Sequence, residues 1–222
     1  MTAPVTTDSA PDEAPVTADG GRGPARRFGT LALAAAVVVG LLLGYAGGLL
    51  TPTVTRPGEN SAEAGFARDM STHHAQAVQM GLIAFQQGED PEVRQIGGDI
   101  ATGQQGEIGT MQTWLRLWKL DPTGDQPAMT WMPDGAGLVK DGLMPGMATP
   151  AEITKLSESR GRQFDVLFLQ LMIRHHLGGI HMLEGILDEG HDADVLKVAQ
   201  TMKNTQQTDL TNLQAALKRL GG

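Results

Sequence analysis

The sequence predicts an all-α protein: a four-helix bundle built from two duplicated helical hairpins and preceded by one transmembrane helix. Three observations predict it. Residues 66–118 return as residues 168–220 at a constant offset. Apolar residues inside each copy recur at the helical period. A long uncharged run precedes both copies. Phe66-x3-Met70-x2-His73-His74-x5-Met80 reappears as Phe168-x3-Met172-x2-His175-His176-x5-Met182, with the same spacing throughout (175 − 73 = 102, 182 − 80 = 102). Further along, Gly88 answers Gly190, Asp90 answers Asp192, Val93 answers Val195, and Leu115 answers Leu217. Gln104-Gln105 answers Gln206-Gln207, and Glu107 answers Asp209. Duplicate units of this kind bury their apolar faces against each other.

The elements follow in chain order. Residues 1–28 are rich in Thr, Ala, Pro, Asp and Gly and lack apolar periodicity, which predicts a disordered cytoplasmic leader. Residues 29–50 form the anchor. No charge falls between Leu31 and Leu50, a length that spans a bilayer core as a helix. Arg22, Arg26 and Arg27 precede the run and Arg56 follows it, which puts the N-terminus inside and the rest of the chain outside. A signal sequence, cleaved near Tyr45-Ala-Gly-Gly, is the rival reading; the acidic leader and the full-length apolar run weigh against it. Residues 51–60 hold Pro52, Pro57 and Gly58 and read as a tether.

Residues 61–222 form the bundle. Phe66, Met70, Ala77, Ala84 and Phe85 mark the first helix. Gly88-Glu-Asp90-Pro91 ends it and starts the next, with Asp90 as N-cap and Pro91 at the first helical position. Val93, Ile96, Ile100, Ile108, Met111, Leu115 and Trp118 give the second inward face. Residues 121–148 are a Met-, Gly- and Pro-rich connection carrying Met129, Met132, Met144 and Met147. Thr149-Pro150-Ala-Glu152 is a capping-box start for a short helix. The second hairpin runs from about Gln163 to Leu220 and turns at Gly190-His191-Asp192. Paired hairpins with apolar inner faces pack as a four-helix bundle.

Composition excludes some functions. A net charge of −8 and a pI near 5.2 lack the basic footprint that nucleic acid requires. Without cysteine there are no disulfides and no thiolate metal sites.

Chemistry concentrates where polar residues take inward positions. At 100° per residue, His73 and His74 flank the apolar stripe of their helix, and His175 and His176 repeat this. Ala77 and Gly179 leave room one turn on. In the partner helices, Gln104 and Glu107, then Gln206 and Asp209, fall on the inward face. His74 lies fifteen residues before Glu89 and Gln104 fifteen after it; His176 and Gln206 stand in the same relation to His191. An equal rise along antiparallel helices puts His73, His74 and Glu107 at one height and His175, His176 and Asp209 at another, and pseudo-twofold packing of the hairpins can bring the two into one layer. A buried carboxylate is costly unless paired or bound to metal. A single inward histidine reads as a polar network. Four histidines with two acids at one level point to a metal ion.

Neutral imidazole suits Zn, Cu, Fe and Ni, and thioether sulfur suits Cu(I). Met70 and Met172 lie within one turn of the histidine pairs, where core filling is the bland alternative. Met144 and Met147 sit in a polar Gly/Pro loop without an evident packing reason, which suggests ligands or a lid. His181 and His191 face Gln79 and Glu89 in the other copy and read as surface residues.

Three motifs carry a family resemblance. Met-x2-His-His in both halves, Gln-x2-Glu/Asp in the partner helices, and Met144-Pro-Gly-Met-Ala-Thr-Pro-Ala-Glu152 resemble the DUF305 family over Ser61 to Leu220. That family is grouped with ferritin-like bundles and includes bacterial copper-binding proteins of the periplasm and cell exterior. The resemblance implies metal-ligand roles for Met70, His73, His74, Met172, His175 and His176, with copper as the ion. The expected function is extracytoplasmic copper sequestration or delivery by a membrane-anchored protein. Two alternatives stand beside it: a ferritin-like metal-dependent oxidase, and a metal-free structural or partner-docking bundle. The Glu-x-x-His pattern of di-iron bundles is missing, which favours a binder over an enzyme.

Overall fold

The computed structural model describes residues 29–222; the expected leader, residues 1–28, lies outside the described residues. Two compact units divide the chain near Val54. The first contains α1 (Thr30–Thr55), which runs beyond the apolar stretch and through Pro52. Its segment Thr30–Leu50 is 21 residues long, apolar and long enough to cross a membrane. Its large apolar side chains, Leu31 and Leu41 among them, are exposed.

The second unit is a four-helix bundle. One hairpin is α2 (Ala62–Gln87) with α3 (Pro91–Trp118). The other is α5 (Gly161–Glu189) with α6 (Ala193–Arg219). A short α4 (Pro150–Glu158) lies against α2 and α5. Local signals place the ends. The Ser61 hydroxyl accepts from Ala64 N at 3.2 Å and starts α2. Asp90 accepts from Glu92 N and Val93 N, with Pro91 following, and starts α3. Asp192 does the same for α6. Thr149 and Glu152 form the expected capping box at α4.

The core lies in two clusters. The first holds Phe66, Met70, Met111, Leu115, Met182 and Met202. The second holds Met80, Ala84, Val93, Phe164, Phe168 and Met172. Met70 and its repeat counterpart Met172 thus lie at opposite ends of the bundle, as do Met182 and Met80. The hairpins are therefore related by a pseudo-twofold axis that exchanges the two ends.

Two buried carboxylates lock this arrangement. Glu63, on the first turn of α2, accepts from the amides of His191 at 2.6 Å and Asp192 at 3.0 Å, at the start of α6. Asp165, on α5, accepts from the amides of Glu89 at 3.0 Å and Asp90 at 2.9 Å, at the start of α3. The two carboxylates are repeat equivalents (165 − 63 = 102). Each hairpin thus caps the second helix of the other, with negative charge at a helix N-terminus where the dipole favours it.

Two expectations change. Phe85 is 57% exposed. Ala84 takes the inward position, and Phe85 turns onto the flank of α3, where a side chain on Gly98 would meet its ring. The loop methionines do have a packing reason. Met129, Met132 and Met144 are buried in the first core cluster, and Met147 is half-buried against it. Asp69 draws the connection in, accepting from Met129 N at 2.7 Å and Trp131 Nε1 at 2.8 Å.

Replacing Glu63 with Gln and Asp165 with Asn should lower stability at neutral pH by about 1.5–3 kcal/mol each, the worth of hydrogen bonds to a charged group. Burial pushes the Glu63 carboxyl up, but the His191 and Asp192 amides outweigh it and hold it below its usual value. Its contribution is therefore present above the unfolded pKa and lost as pH falls through the lowered one. Urea denaturation of parent and variants at neutral and acid pH checks both points; equal midpoints at neutral pH would refute the capping role.

Candidate functional site

The two helices packed face to face, α2 and α5, carry the histidines. His73, His74, His175 and His176 are all at most 1% exposed. His73 and His175 are repeat equivalents, and their rings lie against each other with centroids 3.8 Å apart and planes tilted by 36°. Equivalent residues in contact straddle the twofold axis, so the axis passes between these two rings.

The outer histidines meet the partner helices one turn beyond Gln104 and Gln206, the residues that the count from the turns sets level with them. His74 Nε2 lies 2.7 Å from Glu107 Oε2. His176 Nε2 lies 3.5 Å from Asp209 Oδ2, a looser contact from a carboxylate one methylene shorter. Both acids sit at the rim, with side chains 23% and 27% exposed. The expectation of inward carboxylates thus becomes one of half-buried acids reaching in to buried imidazoles.

The connection closes the opposite face. His73 Nε2 donates to the Pro145 carbonyl at 3.0 Å. Pro145 and Gly146 press directly on Gly178 of α5, where a side chain would collide with the Pro145 backbone. Gly146 has φ +81°, a conformation that favours glycine. Gln76 holds Ala148 in both directions, donating to its carbonyl at 2.9 Å and accepting from its amide at 2.6 Å. Arg174 forks onto Glu152 at 2.8 and 2.7 Å. Residues 144–148 therefore form a strap across α2 and α5. Sequence reasoning missed Gln76 and Arg174 because neither repeats: Gly178 and Thr72 are their counterparts. The departures from the repeat were the signal, since they fall where the connection crosses.

The ring nitrogens divide into used and bare. His73 and His74 each give Nε2 to an oxygen acceptor, and the Nδ1 of both is buried without a partner. His175 Nε2 is also buried and unpartnered. His176 faces the Met172 carbonyl with Nδ1, at 3.1 Å. Burial, then the neighbouring His74 ring, pushes the His73 pKa down to about 3, with the Pro145 carbonyl opposing. Burial and the neighbouring imidazoles push His175 well below its usual value. Both inner imidazoles are therefore neutral at ordinary pH and able to donate lone pairs. Among the described residues, no three His, Asp or Glu side chains are arranged to hold an ion together. The layer presents nitrogen donors without an assembled coordination sphere. His181 and His191 are exposed and stand apart from it.

The family profile described as "Domain of unknown function (DUF305)" matches residues 63–217. The chain belongs to the DUF305 family. Solved structures of DUF305 proteins are similar to it. One, from Streptomyces coelicolor and described as secreted, is 41% identical with a TM-score of 0.68, over 74% of this chain and 97% of that one. A DUF305 fragment from Deinococcus radiodurans is 29% identical with a TM-score of 0.60, over 71% and 96%. CopM in its Cu(I)-bound form is 22% identical with a TM-score of 0.57, over 72% and 98%, a likeness of fold. No curated protein matches the chain.

Burial of His73 at the centre of this DUF305 chain ties its stability to pH. An unfolded histidine titrates near 6.5, and folded His73 near 3. Between those values the unfolded chain binds more protons. Stability is therefore complete above about pH 6.5 and falls as pH drops toward about 3. Urea unfolding midpoints measured across that range should fall less steeply for His73→Gln than for the parent. Identical slopes would mean that His73 does not carry the effect.

Proposed function

We propose that this DUF305 protein binds copper outside the cytoplasm, for sequestration or delivery, while tethered to the membrane by α1. One observation carries the reading. His73 and His74 each spend one ring nitrogen on an oxygen acceptor and keep the other bare and buried. Metal-ligating histidines are commonly held this way, with a carboxylate or carbonyl fixing the tautomer and orienting the free nitrogen. A bare buried acceptor costs about 1–3 kcal/mol unless something answers it. The donor set fits a copper ion. His73, His74 and His175 offer bare ring nitrogens, His176 would join them on releasing its Met172 or Asp209 contact, and Met70 and Met172, both fully buried, carry thioether sulfur within about one helical turn of the histidine pairs. Glu107 and Asp209 orient the outer histidines from the rim. Met144 belongs to the core cluster that contains Met70, with Met147 packed against it, and both flank Pro145, whose carbonyl meets His73; they are the further sulfur donors of this reading.

When bound, copper would supply a soft, redox-capable centre. This chain's residues hold it in a water-poor layer and keep two imidazoles neutral. CopM, a neighbour in fold, has been solved in Cu(I)-, Cu(II)- and Ag-bound forms. A bridged di-iron oxidase is poorly supplied, since Glu107 and Asp209 each face a histidine rather than each other. The secreted description of the Streptomyces coelicolor relative supports an extracytoplasmic bundle. Arg22, Arg26 and Arg27 before the span support the same orientation.

Copper titration tests the site. Changing His74 and His176 together to Ala should weaken binding by tenfold or more, whereas the pair His181→Ala and His191→Ala should leave it unchanged. Met70→Leu with Met172→Leu should weaken Cu(I) more than Cu(II), at a packing cost below about 1.5 kcal/mol each. If the double histidine variant binds copper as tightly as the parent, the layer is a metal-free polar network.

Topology has its own test. A phosphatase that folds only outside the cytoplasm, fused after Gly222, should be active. Activity confined to a cytoplasmic reporter at the same point would reverse the orientation.

A further inference from the structure

The histidine layer has two sides along the twofold axis, and they differ. On the α2–α5 side the strap closes it: Pro145 sits on His73 and Gly178. On the other side α3 and α6 barely touch. Between them lies a cleft of about 210 Å³ lined by Gly103, Gln104 and Glu107 from α3, and by Thr205, Gln206 and Asp209 from α6. Asp99 and Ile100 of α3 complete the lining, and the other six residues are three repeat pairs (205 − 103, 206 − 104 and 209 − 107 are each 102). The cleft therefore lies on the axis that passes between His73 and His175.

Its wall is largely apolar, with Ile100 on it, and its charged groups are all of one sign. Asp99, Glu107 and Asp209 line it, with no lysine or arginine. Two buried amides border the same space: Gln104, 5% exposed, and Gln206, 2% exposed. Gln104 Oε1 and Gln206 Nε2 have no hydrogen-bond partner. A bare buried oxygen on one wall and a bare buried N–H on the other match a hydrated ion, whose water both donates and accepts. Glu107 and Asp209 then lead inward, since each carboxylate already reaches a buried histidine. We infer that the α3–α6 cleft is a docking site for hydrated divalent cations and the entrance to the histidine layer.

The entrance role rests on the copper reading; the docking role does not. Oxygen donors at the mouth hold a hydrated ion, and imidazole nitrogens behind them take it as it sheds water. A mouth lined by one sign of charge also raises the local concentration of counter-ions.

Two measurements on the full chain in detergent micelles test this. The first uses aqueous Cu(II) and stopped-flow absorbance. Gly103 has open space beside it, so Gly103→Phe with Thr205→Phe should plug the cleft while leaving the histidines intact. Uptake should slow by roughly tenfold or more, with the same final copper content. Gln76→Ala, which loosens the strap, should leave the uptake rate unchanged. An unchanged rate in the plugged variant, or faster uptake on loosening the strap, overturns the entrance.

The second uses Mn(II), an oxygen-preferring ion, as a paramagnetic probe. Broadening of amide resonances should centre on residues 103–107 and 205–209 and vanish in Glu107→Gln with Asp209→Asn. Broadening centred elsewhere, or none, overturns the docking site. Mn(II) broadening at the cleft in a parent that takes up no Cu(II) would refute the copper reading and uphold the docking site.

Discussion

Burying four imidazoles at the middle of an apolar bundle is the constraint on which the rest of this structure depends. A polar ring out of water must find a partner or stay bare at a cost. The layer interrupts the core and leaves an apolar cluster on either side of it. It also sets how the surrounding helices approach. Gly179 lets Gln206 lie against α5, since a side chain there would meet Gln206 Oε1 at 2.5 Å. Gly178 lets a backbone carbonyl reach His73 from the other side. The rim acids come in only as far as each outer ring. Stability and site chemistry therefore share the same atoms, and the groups that make the layer costly are the ones that make it useful.

Much of this was legible in the sequence because the repeat supplied two readings of every position. The count from each turn put His74 level with Gln104 and His176 level with Gln206, with Glu107 and Asp209 in the same layer, and the structure adds that each acid reaches its outer histidine from one turn further along. The hairpins, their caps and the four-helix arrangement followed from periodicity and turn chemistry. What escaped was of two kinds. Single-copy features, such as Gln76, Arg174 and Asp69, serve a connection that the repeat does not contain. Partners reached through the backbone, such as the Pro145 carbonyl and the amides capped by Glu63 and Asp165, carry no side-chain signature at the receiving end. Glu63 and Asp165 did stand at the repeat offset, near the start of their helices, and charge at that position was readable.

The connection also breaks the symmetry. Its buried methionines, Met129, Met132 and Met144, all join the cluster that contains Met70 and Met182. The other cluster receives no loop methionine and relies on Phe164, Phe168 and Leu169 beside Met80 and Met172. Two ends that the repeat would make alike are therefore unlike in softness and polarisability. A thioether-rich end beside one histidine pair gives the halves of the layer different surroundings, although their histidines repeat.

The reciprocal caps obey the contact rule of a symmetric dimer. In an isologous dimer, residue i of one subunit meets residue j of the other, and j meets i. Glu63 on the 191–192 turn and Asp165 on the 89–90 turn obey that rule within a single chain. So does the contact of His73 with His175, each lying against its own equivalent. The bundle has the geometry of an isologous dimer of one hairpin, closed within a single chain. The segment that joins the halves lies outside that symmetry and crosses the layer on one side only, so the two sides of the axis differ.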